Sequence, residues 1–166
     1  MQKKKMLITG ISGLLGSNIA YCLRNTYDII GLFHKHQYAM DGIRTVGGDL
    51  TSAEEVQALI KEISPQVIVH CAAQADVDIC EEHPREAERI NVEGTKNLVK
   101  NINGSATKMV YISTDLVYDG EKEIFSEDDL IKPVNYYGIT KWQAEKEAAK
   151  NKEALITIKK QNADLN

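Results

Sequence analysis

Two hydrophobic periods take turns along this chain. Short apolar-rich runs of four to six residues occur at Met6–Thr9, Asp28–Phe33, Thr45–Asp49, Gln66–His70, Lys108–Ile112 and Ala154–Ile158, and these read as strands. Between them the apolar positions fall three and four apart, the spacing of one helix face. Leu15, Ile19 and Cys22 or Leu23 mark such a face over Leu14–Arg24. Val56, Leu59, Ile60 and Ile63 mark another, opened by Ser52 with Glu55 three residues on as a capping box and closed at Pro65. Pro84 suits a first helical position, and Ala87, Ile90, Gly94, Leu98 and Ile102 carry that helix to Asn103. Tyr136–Lys150 supplies the last helix. Strands alternating with helices predict a doubly wound α/β domain: a parallel sheet of about six strands with helices on both faces. The domain is expected over residues 1–160, with a divergent tail at 161–166.

Composition narrows the function classes. The 166 residues are 43% hydrophobic and 27% charged, with a net charge of -4. That balance speaks against a nucleic-acid partner, which is held by an excess of Lys and Arg. No apolar run is long enough to span a bilayer or to form a signal-peptide core. Cys22, Cys71 and Cys80 are odd in number and form no CxxC pair, so the expected compartment is a reducing cytoplasm. His34 and His36 lack neighbouring carboxylates in sequence, and no metal site is expected.

The first strand runs into Thr9-Gly10-Ile11-Ser12-Gly13-Leu14-Leu15-Gly16. Glycines at a strand–helix junction let the backbone approach a pyrophosphate, and the free amides of the helix start favour its charge. Gly10, Ser12, Gly13, Leu14, Leu15 and Gly16 are therefore the expected phosphate cradle of a nicotinamide dinucleotide in a Rossmann-type domain. The second strand ends Phe33-His34-Lys35-His36, with no carboxylate nearby in sequence for the adenosine ribose. His34 and Lys35 favour NADP(H), with NAD(H) as the alternative. Asp49 and Leu50 either meet the adenine or cap the following helix.

Tyr137 and Lys141 lie four apart on the last helix and share a face. An ammonium one turn away, together with the positive charge of a nicotinamide, favours the phenolate, so the expectation is a lowered tyrosine pKa and a proton relay for a carbinol. Ser113-Thr114-Asp115 sits at the carboxyl end of the fifth strand, where ligands bind in open parallel sheets.

TGISGLLGS at 9–17, HCAAQADVDICEEHP at 70–84, INVEGT at 90–95, YISTDLVYDG at 111–120 and PVNYYGITKWQAE at 133–145 together resemble the extended short-chain dehydrogenase/reductase superfamily. Within it they resemble the dTDP-4-dehydrorhamnose reductase family, over residues 6 to 150. The resemblance implies NAD(P)H-dependent reduction of a keto group on a nucleotide-activated sugar. Thr114 would polarise the carbonyl, Tyr137 would act as general acid, and Lys141 would hold the nicotinamide ribose. Cys71, Ala72 and Ala73 match the segment lining the cofactor. Asn91 matches a position that orders the active-site helix, or it satisfies local backbone. The alternatives are a non-catalytic NADP-binding or regulatory module and a fragment of an NAD-dependent epimerase or dehydratase. Family members carry a C-terminal substrate domain, and this sequence departs from their pattern near Lys159. An exposed cleft wall, a mobile loop over 119–133 and a homodimer through the helices at 84–103 and 135–150 are the corresponding expectations.

Overall fold

The computed structural model describes residues 2–126 and 128–151, and the backbone of 155–158. Its elements run β1 (Lys5–Thr9), α1 (Leu14–Leu23), β2 (Asp28–Phe33), β3 (Arg44–Gly47), α2 (Ala53–Ile63), β4 (Val67–His70), α3 (Val77–Glu82), α4 (Pro84–Glu88), α5 (Gly94–Ile102), β5 (Lys108–Ile112), α6 (Tyr136–Ala148) and β6 (Leu155–Ile158). The strands form one parallel sheet in the order β3-β2-β1-β4-β5-β6. This is the doubly wound Rossmann-like fold the alternation predicts. The expected tail at 161–166 lies outside the described residues. No helix among those described is long and apolar enough to cross a membrane.

Side chains alternate across the sheet, so each strand feeds two cores. Leu7, Ile30, Ile68 and Met109 pack with α2, α5 and α6 on one face, while Met6, Ile8, Ile29 and Val69 pack with α1 on the other. The two faces set different demands on the helices. On α1 the buried residues are the small Gly16 and Ala20, with Ile19 and Leu23 beside them, and Leu15 and Cys22 are exposed. The expected stripe is thus shifted by one residue, because the helix has to lie close to the glycine turn. On α2 the expected stripe holds: Val56 and Ile63 are buried and Leu59 and Ile60 pack against them.

Three local outcomes differ from the pattern. Ser52 Oγ accepts from the Glu55 N–H at 3.3 Å, but Glu55 Oε2 accepts from the Asp49 N–H at 2.9 Å, so the capping box closes one turn further upstream. Residue Ser64, with φ 48°, ends α2 before Pro65 is reached. The helix expected from Pro84 to Asn103 is interrupted by a π turn at Arg89–Glu93, whose Gly94 N–H reaches back five residues to the Arg89 carbonyl. That extra residue moves Asn91 and Thr95 into the interior and leaves Ile90 half-buried.

The loop that follows β5 makes contacts of its own. Tyr118 stacks on Phe125 at 4.5 Å and its hydroxyl donates to the Ser126 carbonyl at 2.8 Å. Lys132 pairs with Asp119 at 3.1 Å and Lys122 with Asp129 at 2.5 Å.

Candidate functional site

The sheet order reverses between β1 and β4, and a parallel sheet receives its ligand in the crevice outside such neighbouring strand ends. The glycine turn lies there. Gly10 has φ +70°, and a Cβ on it would come 2.8 Å from the Ala72 amide nitrogen. On Gly16 a Cβ would come 2.4 Å from the Gly10 carbonyl oxygen. Gly31 in β2 makes room for the turn from the other side, since a Cβ there would meet Ile11 Cγ1 at 2.5 Å. The Ile11 N–H then donates to the Leu32 carbonyl at 3.1 Å. Gly13 caps α1 without a side-chain hydrogen bond, so the first amides of the helix are left for an anion. Gly13 itself has an ordinary φ of -82° and only a 3.3 Å approach to the Gly10 oxygen; Gly10 and Gly16 are the demanding positions.

From this turn a cleft of about 450 Å³ crosses the ends of β2, β3 and β4. Gly10, Ser12 and Gly13 form its floor, His34 and Lys35 one rim, Asp49 and Leu50 the far end, and Cys71, Ala72 and Ala73 the opposite wall. Leu14 and Leu15 begin α1 as exposed side chains, and Gly16 is buried beneath the turn. The sequence places no carboxylate near His34, but the fold does: Asp49 Oδ2 lies 3.9 Å from His34 Nε2. Burial pushes the Asp49 carboxyl up. The Thr51 hydrogen bonds and the charges of His34 and Arg89 outweigh it, and the carboxyl sits below its usual range. Arg89 and Glu86, which fall outside every motif read in the sequence, also line the cleft, as does Gln74 from the 70–84 segment.

Beyond β5 lies the second half of the site. Thr114 caps a short 3-10 turn, Asp115–Val117. Its hydroxyl accepts from the Leu116 N–H and donates to Asp115 Oδ1, both at 3.2 Å. Asn135 caps α6 through the Gly138 N–H at 2.7 Å. A Cβ on Gly138 would be 2.2 Å from the Leu116 carbonyl oxygen. Only glycine lets the first turn of α6 close onto the Thr114 turn and bring Tyr137 beside it, and this position goes unnoticed in the sequence pattern.

Lys141 is buried, and its Nζ donates to the Ile112 carbonyl at 2.5 Å and lies 4.3 Å from the centre of the Tyr111 ring. Burial lowers its pKa to about 8, against the opposing pull of Glu145 and Cys71. Glu145 is held by the Ser113 hydroxyl. Without a nicotinamide's charge beside it, Tyr137 is shifted the other way. Burial first, then Cys80 and Asp115, raise its pKa, because the ammonium is turned to Ile112. Asn91 is wholly buried behind the cleft wall. Its Oδ1 accepts from the Gln74 N–H at 2.8 Å, and its Nδ2 donates to the Gln74 carbonyl at 3.0 Å and to Thr140 Oγ1 at 2.9 Å. With both amide hydrogens spent inside the protein, on Gln74 and Thr140, Asn91 orders the wall and α6. Among the described residues no cluster could hold a metal ion.

Comparison with known proteins completes the description. Residues 4–160 match the family model described as RmlD substrate binding domain. Methionine adenosyltransferase 2 subunit beta of Xenopus tropicalis is 34% identical over 157 residues, which are 94% of this chain and 46% of that protein. A hypothetical dTDP-4-dehydrorhamnose reductase of Sulfolobus tokodaii superposes with a TM-score of 0.84 at 33% identity, over 93% of this chain and 55% of that one. The dTDP-4-dehydrorhamnose reductase of Bacillus anthracis, crystallised with NADP, gives 0.82 at 29% identity, over 95% and 53%. The chain thus spans about half the length of the relatives it matches.

Proposed function

The chain belongs to the RmlD substrate binding domain family, and on that premise we propose that it is the cofactor-binding half of an NAD(P)H-dependent reductase acting on the keto group of a nucleotide-activated sugar. The observation that carries this reading is a glycine cradle that opens a cleft at the ends of β1, β2 and β4, with the Tyr137–Lys141 pair of α6 set against the end of β5 in the same sheet. A Cβ on Gly10 or Gly16 would fill the cradle, which fits a pyrophosphate lying close to the backbone. A bound nicotinamide dinucleotide would supply the hydride. The Tyr137 hydroxyl, protonated at neutral pH, gives its proton to the carbonyl oxygen as general acid. Thr114 donates a hydrogen bond to the same oxygen. Lys141 would hold the nicotinamide ribose.

Calorimetric titration with NADPH and NADH tests the cofactor, with NADPH expected to bind more tightly. Absence of heat with both would sink the dinucleotide reading. A scan of keto-sugar nucleotides, read by NADPH oxidation, tests the chemistry.

The likeness to methionine adenosyltransferase 2 subunit beta favours a second reading, a regulatory subunit that uses the cleft for a dinucleotide without turning over a sugar. It predicts cofactor binding, no reduction of any nucleotide sugar, and a change in the rate of a methionine adenosyltransferase when the two are mixed. In either reading, two copies would pair through the helices at 84–103 and 135–150, which light scattering would detect as a dimer mass.

A further inference from the structure

Behind the cleft wall, a row of buried hydrogen bonds admits only one direction. Thr95 has a single hydroxyl hydrogen. It goes to the Asn91 main-chain carbonyl at 2.6 Å, since a carbonyl can only accept. His70 Nε2 lies 3.0 Å from the same hydroxyl oxygen and must therefore carry a hydrogen. A neutral imidazole protonated at Nε2 is bare at Nδ1. The Thr9 hydroxyl, 2.6 Å from Nδ1, accordingly donates to it. The Thr9 oxygen in turn accepts from the Ala72 N–H at 3.2 Å. At the other end, the Asn91 side chain reaches Gln74 and Thr140, and the Thr140 hydroxyl donates to the Tyr137 carbonyl at 2.8 Å. Thr9, His70, Asn91, Thr95 and Thr140 are all at most 1% exposed.

We infer that His70 is a positioning residue: as the Nε2–H tautomer it fixes the π turn to the end of β1, and through Asn91 and Thr140 it holds the main chain of Tyr137 in place. The relay begins at Thr9, one residue before the glycine turn, and ends at the proposed proton donor. It ties the glycine turn to the first turn of α6 through buried bonds. The groups facing the imidazole agree with a neutral ring. Tyr111 from β5 packs at 5.6 Å between centroids, and burial followed by the charge of Lys141 from α6 lowers the imidazole pKa to about 3. A second proton, on Nδ1, would leave the Thr9 hydroxyl hydrogen without its acceptor.

This inference deepens the reading of Tyr137 as the acid, and its test has a readout that does not need turnover. In the uniformly labelled full chain, long-range proton–nitrogen spectra are expected to show His70 as a single Nε2–H tautomer at pH 7, still neutral at pH 5. An Nδ1–H form, a mixture or a charged ring would overturn the assignment. Thr95→Val removes the hydroxyl and keeps the shape. It is expected to speed amide exchange in the first turn of α6, read at the Ile139 N–H bonded to Asn135, by about tenfold. Exchange at the Ala149 N–H should be unchanged, and the NADPH Kd should stay within about twofold. Thr95→Ser should restore wild-type exchange. Equal exchange in Thr95→Val and wild type refutes the relay. Where reduction is measurable, kcat should fall about tenfold with KM within twofold, the mark of a group acting through Tyr137. Should no nucleotide sugar be reduced, the functional reading fails, and the tautomer and exchange results still decide the relay.

Discussion

At the glycine turn a Cβ on Gly16 would stand 2.4 Å from a carbonyl oxygen, whereas at the other end of the site, around the first turns of α6, Lys141, Asn91 and Thr140 are buried side chains with every polar atom answered. One end is made by what has been removed from the backbone, the other by polar groups brought into the interior. The first should fail when an atom is added. The second should fail, or change its chemistry, when an atom is taken away.

The largest effect should come from removing one oxygen at the polar end. Tyr137→Phe is expected to lower turnover by about 10²–10⁴-fold while the NADPH Kd stays within about twofold. Near-normal turnover would move the chemistry elsewhere. At the glycine end, Gly10→Ala forces an unfavourable φ and a 2.8 Å contact with Ala72, and should cost about 3 kcal/mol in urea denaturation. Gly42 has φ +77° but open space around it, so Gly42→Ala should cost only about 1 kcal/mol. Equal losses at the two glycines would mean that close approach plays no part.

Lys141→Met sharpens the contrast, because removing a buried ammonium should stabilise the protein by about 2 kcal/mol at pH 7. The sign follows from proton counts. Between about 8 and 10.5 the unfolded chain holds a proton that folded Lys141 has lost, so wild-type stability rises with pH through that window and the advantage of the variant shrinks. His70 acts at lower pH. Between 6.5 and about 3 the unfolded imidazole gains a proton that the folded one refuses, so the stability present above 6.5 drains away as the pH falls. Denaturation midpoints across pH measure both. The smallest effect belongs to the rim: Lys35→Ala should weaken NADPH about tenfold and leave NADH unchanged, and equal losses would remove the 2′-phosphate assignment.

These two ends were unequally legible in the sequence. Missing side chains leave a trace in a linear chain, because glycines at a strand–helix junction stand out, and the order of the six strands follows from period, though the short α3 does not. Tyr137 and Lys141 were visible as a local spacing. His70, Asn91, Thr95 and Thr140 lie up to 49 positions apart in their bonded pairs, and nothing local says that a threonine on a helix faces inward. The π turn was hidden for the same reason: an apolar stripe through Ala87, Ile90 and Gly94 satisfies an α-helical count, and only the buried partners of Asn91 justify the extra residue. Gly138 was passed over because its reason for being glycine, the Leu116 carbonyl, comes from another element. The carboxylate beside His34 likewise arrives from the end of β3.

The π turn at Arg89–Glu93 can also be seen as one surplus residue that the helix has absorbed without disturbing either flank. Ala87 on one side and Leu98 on the other both remain fully buried. Deleting a single residue from this stretch should therefore relax α4 and α5 into one regular rod, more uniform in its ladder and no worse anchored in the core. The same deletion would rotate the Asn91 amide away from Gln74 and Thr140. This protein holds a less regular helix than its sequence could support, and the irregularity is the part that serves the cleft.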